Sequence, residues 1–236
     1  MTSAPFESIV RPPKLADKVF QQLAVMLRGE PGREVTLPAE RELALKLGVS
    51  RNVLREATKR LELQGLLEIR QGQGARAVDR LHKPISASLE LLVPIEKERM
   101  RQLFQVRWMI EPHNAHWAAG RANHSEMKRI EAAHHSLLSA TTAPALVAAD
   151  MEFHRAIADA SGNQIARLLL ESLAELREMS HAKGYRGRPS ERIKAEHLEI
   201  VTAILTQQSD AARMAMEKHL IRSSEDLGFS VQDISE

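Results

Sequence analysis

Apolar positions recur every three to four residues over most of the chain, and the pattern changes character near residue 80. Before it, Leu15, Val19, Leu23 and Met26/Leu27 predict a first helix, with Gly29 as its stop. Pro38 suits the first turn of a short helix that runs to Leu47 and stops at Gly48. Ser50 is the next cap; behind it Val53, Leu54, Ala57 and Leu61 share one side of a third helix, and Arg51, Arg55 and Lys59 another. Leu66–Arg70 and Ala75–Val78 then read as two short strands joined by the turn-forming "QGQG". Three helices closed by a β-hairpin predict a winged helix-turn-helix.

Beyond residue 80 the periodicity is almost purely helical. "HKPISASLELLV" predicts a short helix, followed by longer ones over about 97–121, 125–139, 143–160, 163–183, 189–207 and 210–226. Pro112 falls inside the first of these and is expected to kink it or break one i−4 bond. The chain therefore reads as mainly α: a winged helix-turn-helix over residues 1–80, then an antiparallel all-α bundle of six or seven helices over 81–236.

Composition narrows the chemistry. With 236 residues and 43% hydrophobic content there is enough apolar material for a real core in each part. No run of eighteen apolar residues occurs, and the first residues lack the succession of a signal peptide, so a soluble, cytoplasmic protein without membrane contact is expected. The absence of cysteine removes thiolate metal sites and cysteine nucleophiles together, and leaves the ten histidines as the interesting pool. Formal net charge is +2; residues 1–80 hold 14 Lys and Arg against 10 Asp and Glu, a modest excess whose placement says more than its size.

That placement fits a DNA-reading surface. Ser50, Arg51 and Asn52 open the third helix, where side chains can reach base edges, and Arg55 lies one turn on beside Arg51. Arg41, on the preceding helix, is placed for a phosphate, while Gln71 and Gly72 form a slim hairpin tip. A solvated helix face is the ordinary role of a lone Arg; the ordered set of turn, cap, paired Arg and Gly-rich hairpin outweighs it. The segment "LPAERELALKLGVSRNVLREATKRLELQGLLEIRQGQGARAV" closely resembles the N-terminal domain of GntR-type bacterial transcription regulators, with Ala39 where Ser is usual. The resemblance implies that Arg41, Ser50, Arg51, Asn52, Arg55, Gln71 and Gly72 occupy DNA-contacting positions.

Within the bundle, Asp150 and His154 stand at i and i+4 on a helix face that also carries Val147 and Ile157. His197 shares a face with Ile200, Val201 and Ile204, and His219 lies near Ala212, Ala215 and Met216. The turn "QQSD" is centred midway between the two histidines, so an antiparallel hairpin sets them level, and eleven residues are close to three helical turns. The residues alone leave two roles open: hydrogen-bonded core groups, or ligands converging on a metal ion. "DMEFHRAIADASGN", "EHLEIVTAI" and "KHL" resemble the FCD ligand-sensing domain found in the FadR branch of the GntR group. That resemblance implies Asp150, His154, His197 and His219 as metal ligands. Histidines 82, 113, 116, 124, 134, 135 and 181 show no such geometry and are expected on the surface or satisfied in the core.

Arg107 shares its helix face with Leu103, Phe104 and Ile110, which aims a guanidinium at the core. An internal ion pair with Glu111 and an open anion site are both consistent with it. In FCD proteins the Arg of a similar Glu-x-Arg stretch lines the effector cavity; here Gln105 stands where Glu is usual. The expectation is a homodimeric, metal-containing transcription regulator, a repressor rather than an enzyme, that binds double-stranded operator DNA. A small carboxylate effector would sit at the divalent ion and Arg107, with zinc placed first and nickel, manganese or cobalt as alternatives. Two rival readings are a regulator that senses the metal itself and a metal-dependent hydrolase; the second lacks an inward general base beside the ligands.

Overall fold

A computed structural model describes residues 14–28, 35–70, 74–93, 95–174, 176–177 and 190–235 of the chain. They divide into two compact units, Met1–Pro84 and Ile85–Glu236.

The first unit holds α1 (Leu15–Arg28), α2 (Glu40–Leu47), α3 (Arg51–Leu63), β1 (Leu67–Arg70) and β2 (Gly74–Ala77). Helix α1 buries Ala16, Val19, Phe20, Leu23 and Ala24, the stripe its periodicity specifies, against Leu54, Ala57 and Leu61 of α3. Gly48 ends α2 in the left-handed conformation at φ 64°, donating its N–H to the last carbonyls. Ser50 Oγ accepts from Val53 N at 3.3 Å and starts α3. The strands pair antiparallel with Leu67 opposite Ala77 and Arg70 opposite Gly74, and an isolated bridge from Thr36 to Arg76 adds a third short edge that the sequence did not suggest. Between α3 and β1, Gly65 has φ +73°, and a Cβ there would lie 2.0 Å from the Arg80 carbonyl oxygen. Only glycine fits this turn.

In the second unit come α4 (Lys83–Leu92, whose first residues lie in the first unit), α5 (Glu96–Arg121), α6 (His124–Ser139), α7 (Ala143–Ala160), α8 (Gln164–Ser172), α9 (Glu191–Leu205), α10 (Ser209–Glu225) and α11 (Val231–Ser235). Side-chain caps set most starts: Asn123 and Glu126 form a reciprocal capping box on α6, Thr142 caps α7, Asn163 caps α8 and Ser190 caps α9. Helix α5 continues through Pro112, which is itself buried. The core gathers Ala115, Ala118 and Ala119 of α5 with Phe153 and Ile157 of α7, Ile200 and Ile204 of α9, and Met216 and Leu220 of α10. Alanines on α5 let its neighbours approach closely; a Cβ added at Gly120 would come 3.3 Å from Ser209 Oγ.

Two expectations need correction. The helix expected over 163–183 is broken after Ser172, where Leu173 leaves helical geometry at ψ 0°, and helical geometry resumes at Ala174, Leu176 and Arg177; residue 175 and the part from 178 to 183 lie outside the described residues. Helix α11 was not expected at all. It forms because Ser230 and Asp233 cap each other, Ser230 N to Asp233 Oδ2 at 2.8 Å and Asp233 N to Ser230 Oγ at 3.3 Å, and because Ile234 and the preceding Phe229 are buried beside Phe104. Five residues are too few for a periodic signal.

Candidate metal centre and DNA-facing surface

Four side chains from three helices meet inside the second unit. Helix α7 presents Asp150 and His154 one turn apart, α9 presents His197 and α10 presents His219. One ligand-type atom from each lies within 4.8 Å of the others, and all four residues are buried. As the hairpin spacing requires, α9 and α10 turn through Thr206–Gln208, and the His197 and His219 ring centres stand 4.6 Å apart. The His154 ring is 5.2 Å from His219 and 6.0 Å from His197.

Each imidazole is oriented from behind. His197 Nδ1 lies 2.8 Å from the Ile193 carbonyl oxygen, His154 Nδ1 lies 2.5 Å from Glu111 Oε2, and His219 Nδ1 lies 3.3 Å from Glu196 Oε2. A proton on Nδ1 suits the contacts of His197 and His219, and on His154 it faces the Glu111 carboxylate as a charge contact rather than an aligned hydrogen bond, which leaves the Nε2 lone pairs directed inward, the arrangement that metal-ligating histidines show. His154 Nε2 and His219 Nε2 are buried without a hydrogen-bond partner among the described residues. His197 Nε2 is 3.1 Å from Asp150 Oδ1. Because its Nδ1 faces a carbonyl that can only accept, that contact sets a lone pair against a carboxylate unless a proton or a cation lies between them. Ligands 2.0–2.2 Å from one ion stand roughly 3 Å apart when adjacent, so the spacing suits a shared cation.

Burial pushes the His154 imidazole down to about 3, despite the opposing pull of Glu111 and Asp150, so the ring is neutral near pH 7. Burial also lowers His219. Burial alone would raise Glu111, yet Arg107, His154 and Arg177 together hold it well below the usual carboxylate range. Neutral His154 and His219, backed by the Glu111 and Glu196 carboxylates, fit a divalent ion.

Arg107 is fully buried and its Nε donates to Glu111 Oε1 at 2.6 Å. Of the two roles open to it in the sequence, the ion pair is the one present, and the same carboxylate reaches on to His154. Three further groups shape the centre that sequence reasoning did not assign to it. The sequence marks Glu111 only as a partner for Arg107. Glu196 backs His219 and is itself met by Arg222 at 3.1 Å; its place beside His197 in "EHLEI" was the available signal. Arg177 approaches Asp150 Oδ2 at 3.8 Å, across a break in the helix that the sequence did not reveal. Asn114, two turns beyond Arg107 on the same inward face, is 1% exposed, and neither amide atom bonds a described residue.

On the first unit, Arg41, Ser50, Arg51, Asn52 and Arg55 are all exposed. Arg51 Nε and Arg55 Nε each donate to Glu40, at 2.6 and 2.7 Å. The expected contact residues Gln71 and Gly72 lie outside the described residues.

Comparison with known proteins places both parts. Residues 15–76 match "Bacterial regulatory proteins, gntR family" and residues 102–222 match the FCD domain. A protein of Escherichia coli (strain K12) named for regulation of an L-lactate dehydrogenase operon is 33% identical over 90% of this chain and 86% of its own length. The HTH-type transcriptional regulator LutR of Bacillus subtilis (strain 168) is 31% identical over 78% of this chain and 87% of its own. Among solved structures, Streptococcus agalactiae GntR superposes with a TM-score of 0.72 at 26% identity, covering 89% of this chain and all of that one. These relatives are transcription regulators, which removes the hydrolase alternative. The chain belongs to the gntR family of bacterial regulatory proteins, a DNA-binding transcription regulator whose second part is an FCD ligand-binding domain.

Proposed function

We propose that this regulator is a cytoplasmic homodimeric repressor whose operator affinity is set by a small 2-hydroxy acid bound at a metal ion held by Asp150, His154, His197 and His219. Residues 1–80 read the DNA, through Arg41, Ser50, Arg51, Asn52, Arg55, Gln71 and Gly72, and residues 81–236 sense the effector. The observation that carries the metal is the convergence of one ligand atom from each of these four buried residues within 4.8 Å, with a proton or a cation needed in the 3.1 Å approach of His197 Nε2 to Asp150 Oδ1. Nitrogen and oxygen donors suit zinc first, with nickel, manganese and cobalt as alternatives.

Charge points to the class of effector. Asp150 and Glu111 are offset by Arg107 and Arg177, all buried. Bound to neutral imidazoles, a divalent ion would leave the centre at about +2, and buried charge is costly unless matched. An anion supplies the match, and the hydroxyl of a 2-hydroxy acid adds a second donor to its carboxylate. The relative named for an L-lactate dehydrogenase operon supports that class, lactate being a 2-hydroxy acid. Arg107 keeps its Nε and Nη2 on Glu111, at 2.6 and 3.5 Å, and would offset the effector carboxylate by its charge. For a hundredfold change in operator affinity the two states must differ by about 2.8 kcal/mol in effector binding, within reach of one such contact made in a single state.

The test is a sequential titration of metal-stripped protein, first with zinc and then with L-lactate or propionate, while operator affinity is followed by fluorescence anisotropy. Lactate weakening operator binding only after zinc is the expected result. Full modulation by zinc alone, with no effect of either acid, would transfer the function to metal sensing and overturn the effector reading.

A further inference from the structure

Glu40 is the first residue of α2, eleven residues before Arg51 and fifteen before Arg55. Its two carboxylate oxygens are divided between them: Oε1 takes the Nε of Arg51 at 2.6 Å and Oε2 takes the Nε of Arg55 at 2.7 Å. One acid thus holds two guanidiniums that stand one turn apart at the start of α3. The bonds use Nε and leave Nη1 and Nη2 of both arginines without a bond to any described residue. Those nitrogens are able to bridge O6 and N7 of a guanine.

Stability does not account for the arrangement. The Arg51 and Arg55 side chains are 58% and 59% exposed, and exposed ion pairs add little to folding. Placed beside the face that must meet phosphates, a carboxylate also repels DNA and lowers the electrostatic part of its affinity. Hydrogen bonds from Arg55 and then Arg51 keep the Glu40 carboxyl below its ordinary range, so the repulsion persists at neutral pH. Besides the small gain that a carboxylate gives the α2 N-terminus, such an acid removes rotamer freedom from two long side chains before they meet the bases.

We propose that Glu40 is a positioning residue for sequence discrimination, aligning the Arg51 and Arg55 forks for the major groove at the expense of non-specific attraction. The inference rests on α3 being the helix that reads the operator. It makes a prediction of opposite sign to simple electrostatics. Removing a negative charge should tighten binding to any DNA; removing an aligning group should weaken binding to the right one.

The experiment compares wild-type protein and Glu40→Gln, both full length, on two duplexes of equal length at fixed salt. One is a fragment selected from a random pool by the wild-type protein, the other an unselected sequence. We expect at least a tenfold weaker complex on the selected fragment, unchanged or several-fold tighter binding to the unselected one, and an unaltered melting temperature. Glu40→Asp, which keeps the charge on a shorter arm, should recover part of the lost discrimination. Glu40→Gln binding the selected fragment as well as wild type, or losing both duplexes in parallel, would overturn the proposal. Arg51→Ala and Arg55→Ala run alongside: if they weaken the selected complex while Glu40→Gln does not, the role of Glu40 alone fails. If neither arginine matters, the reading of α3 fails and takes that role with it.

Discussion

Replacing His197 by phenylalanine isolates the metal from the fold. The His197 ring packs against Phe153 at 5.0 Å and His219 at 4.6 Å between centres, so another ring of similar size keeps those contacts and opens no large cavity. What it loses without metal is one donated hydrogen bond, about 1 kcal/mol, since a single ring N–H can face the Ile193 carbonyl or Asp150 but not both. Metal-free variant and metal-free wild type should therefore melt within about 4 °C of each other, at 2–4 °C per kcal/mol for a chain of this size. Zinc behaves differently. At a hundred times its dissociation constant, a ligand that binds only the folded state stabilises by about 2.7 kcal/mol, a rise of roughly 5–11 °C for wild type and of almost nothing for the variant. Differential scanning calorimetry of the two proteins with chelator and with zinc, alongside metal content by mass spectrometry, reads all four values. A variant that keeps stoichiometric metal and the full zinc-dependent rise would refute the ligand set; a metal-free variant that loses as much stability as the zinc-loaded one would show His197 to be a core group.

Acid should loosen the metal-free sensor domain. His154 is depressed to about 3 in the fold against 6.5 when exposed, so the unfolded chain binds more protons between those values and stability falls as pH drops below 6.5. At pH 5.5 the loss from this one residue is about 1.4 kcal/mol, checked by urea unfolding at pH 7.5 and 5.5; equal stability at both would contradict its buried neutral state. Gly65→Ala should destabilise the winged-helix unit by at least about 1–3 kcal/mol, because the new Cβ strikes the Arg80 carbonyl and φ is positive, and a melting temperature equal to wild type would contradict this turn. Asn114→Leu should leave stability unchanged or raise it, since a buried amide with neither atom bonded to a described residue costs about 1–3 kcal/mol. A loss above 1 kcal/mol in urea unfolding would mean that the amide has a partner.

The family rests on residues that local physics makes legible. Gly48 must be left-handed to end α2, Ser50 must cap α3, and the arginines must follow that cap, so their order along the chain is itself the signal. The pairing of His197 with His219 was equally readable, because a short turn fixes which residues of a helical hairpin stand level. Joining α7 to that hairpin was not, since no spacing along the chain measures the distance between non-adjacent helices.

By itself, then, the sequence determined the mainly helical architecture, the winged helix-turn-helix and, through its family resemblance, the four groups able to hold an ion. Tertiary structure decided what stands behind those groups: Glu111 against His154, Glu196 against His219, Arg177 near Asp150, and Glu40 between two arginines. Caps and amphipathic periods are set by neighbours within a few residues, and so are written locally. Pairings across 11 to 43 residues depend on how helices pack, and a charged residue that completes such a pair looks in sequence like any solvated one.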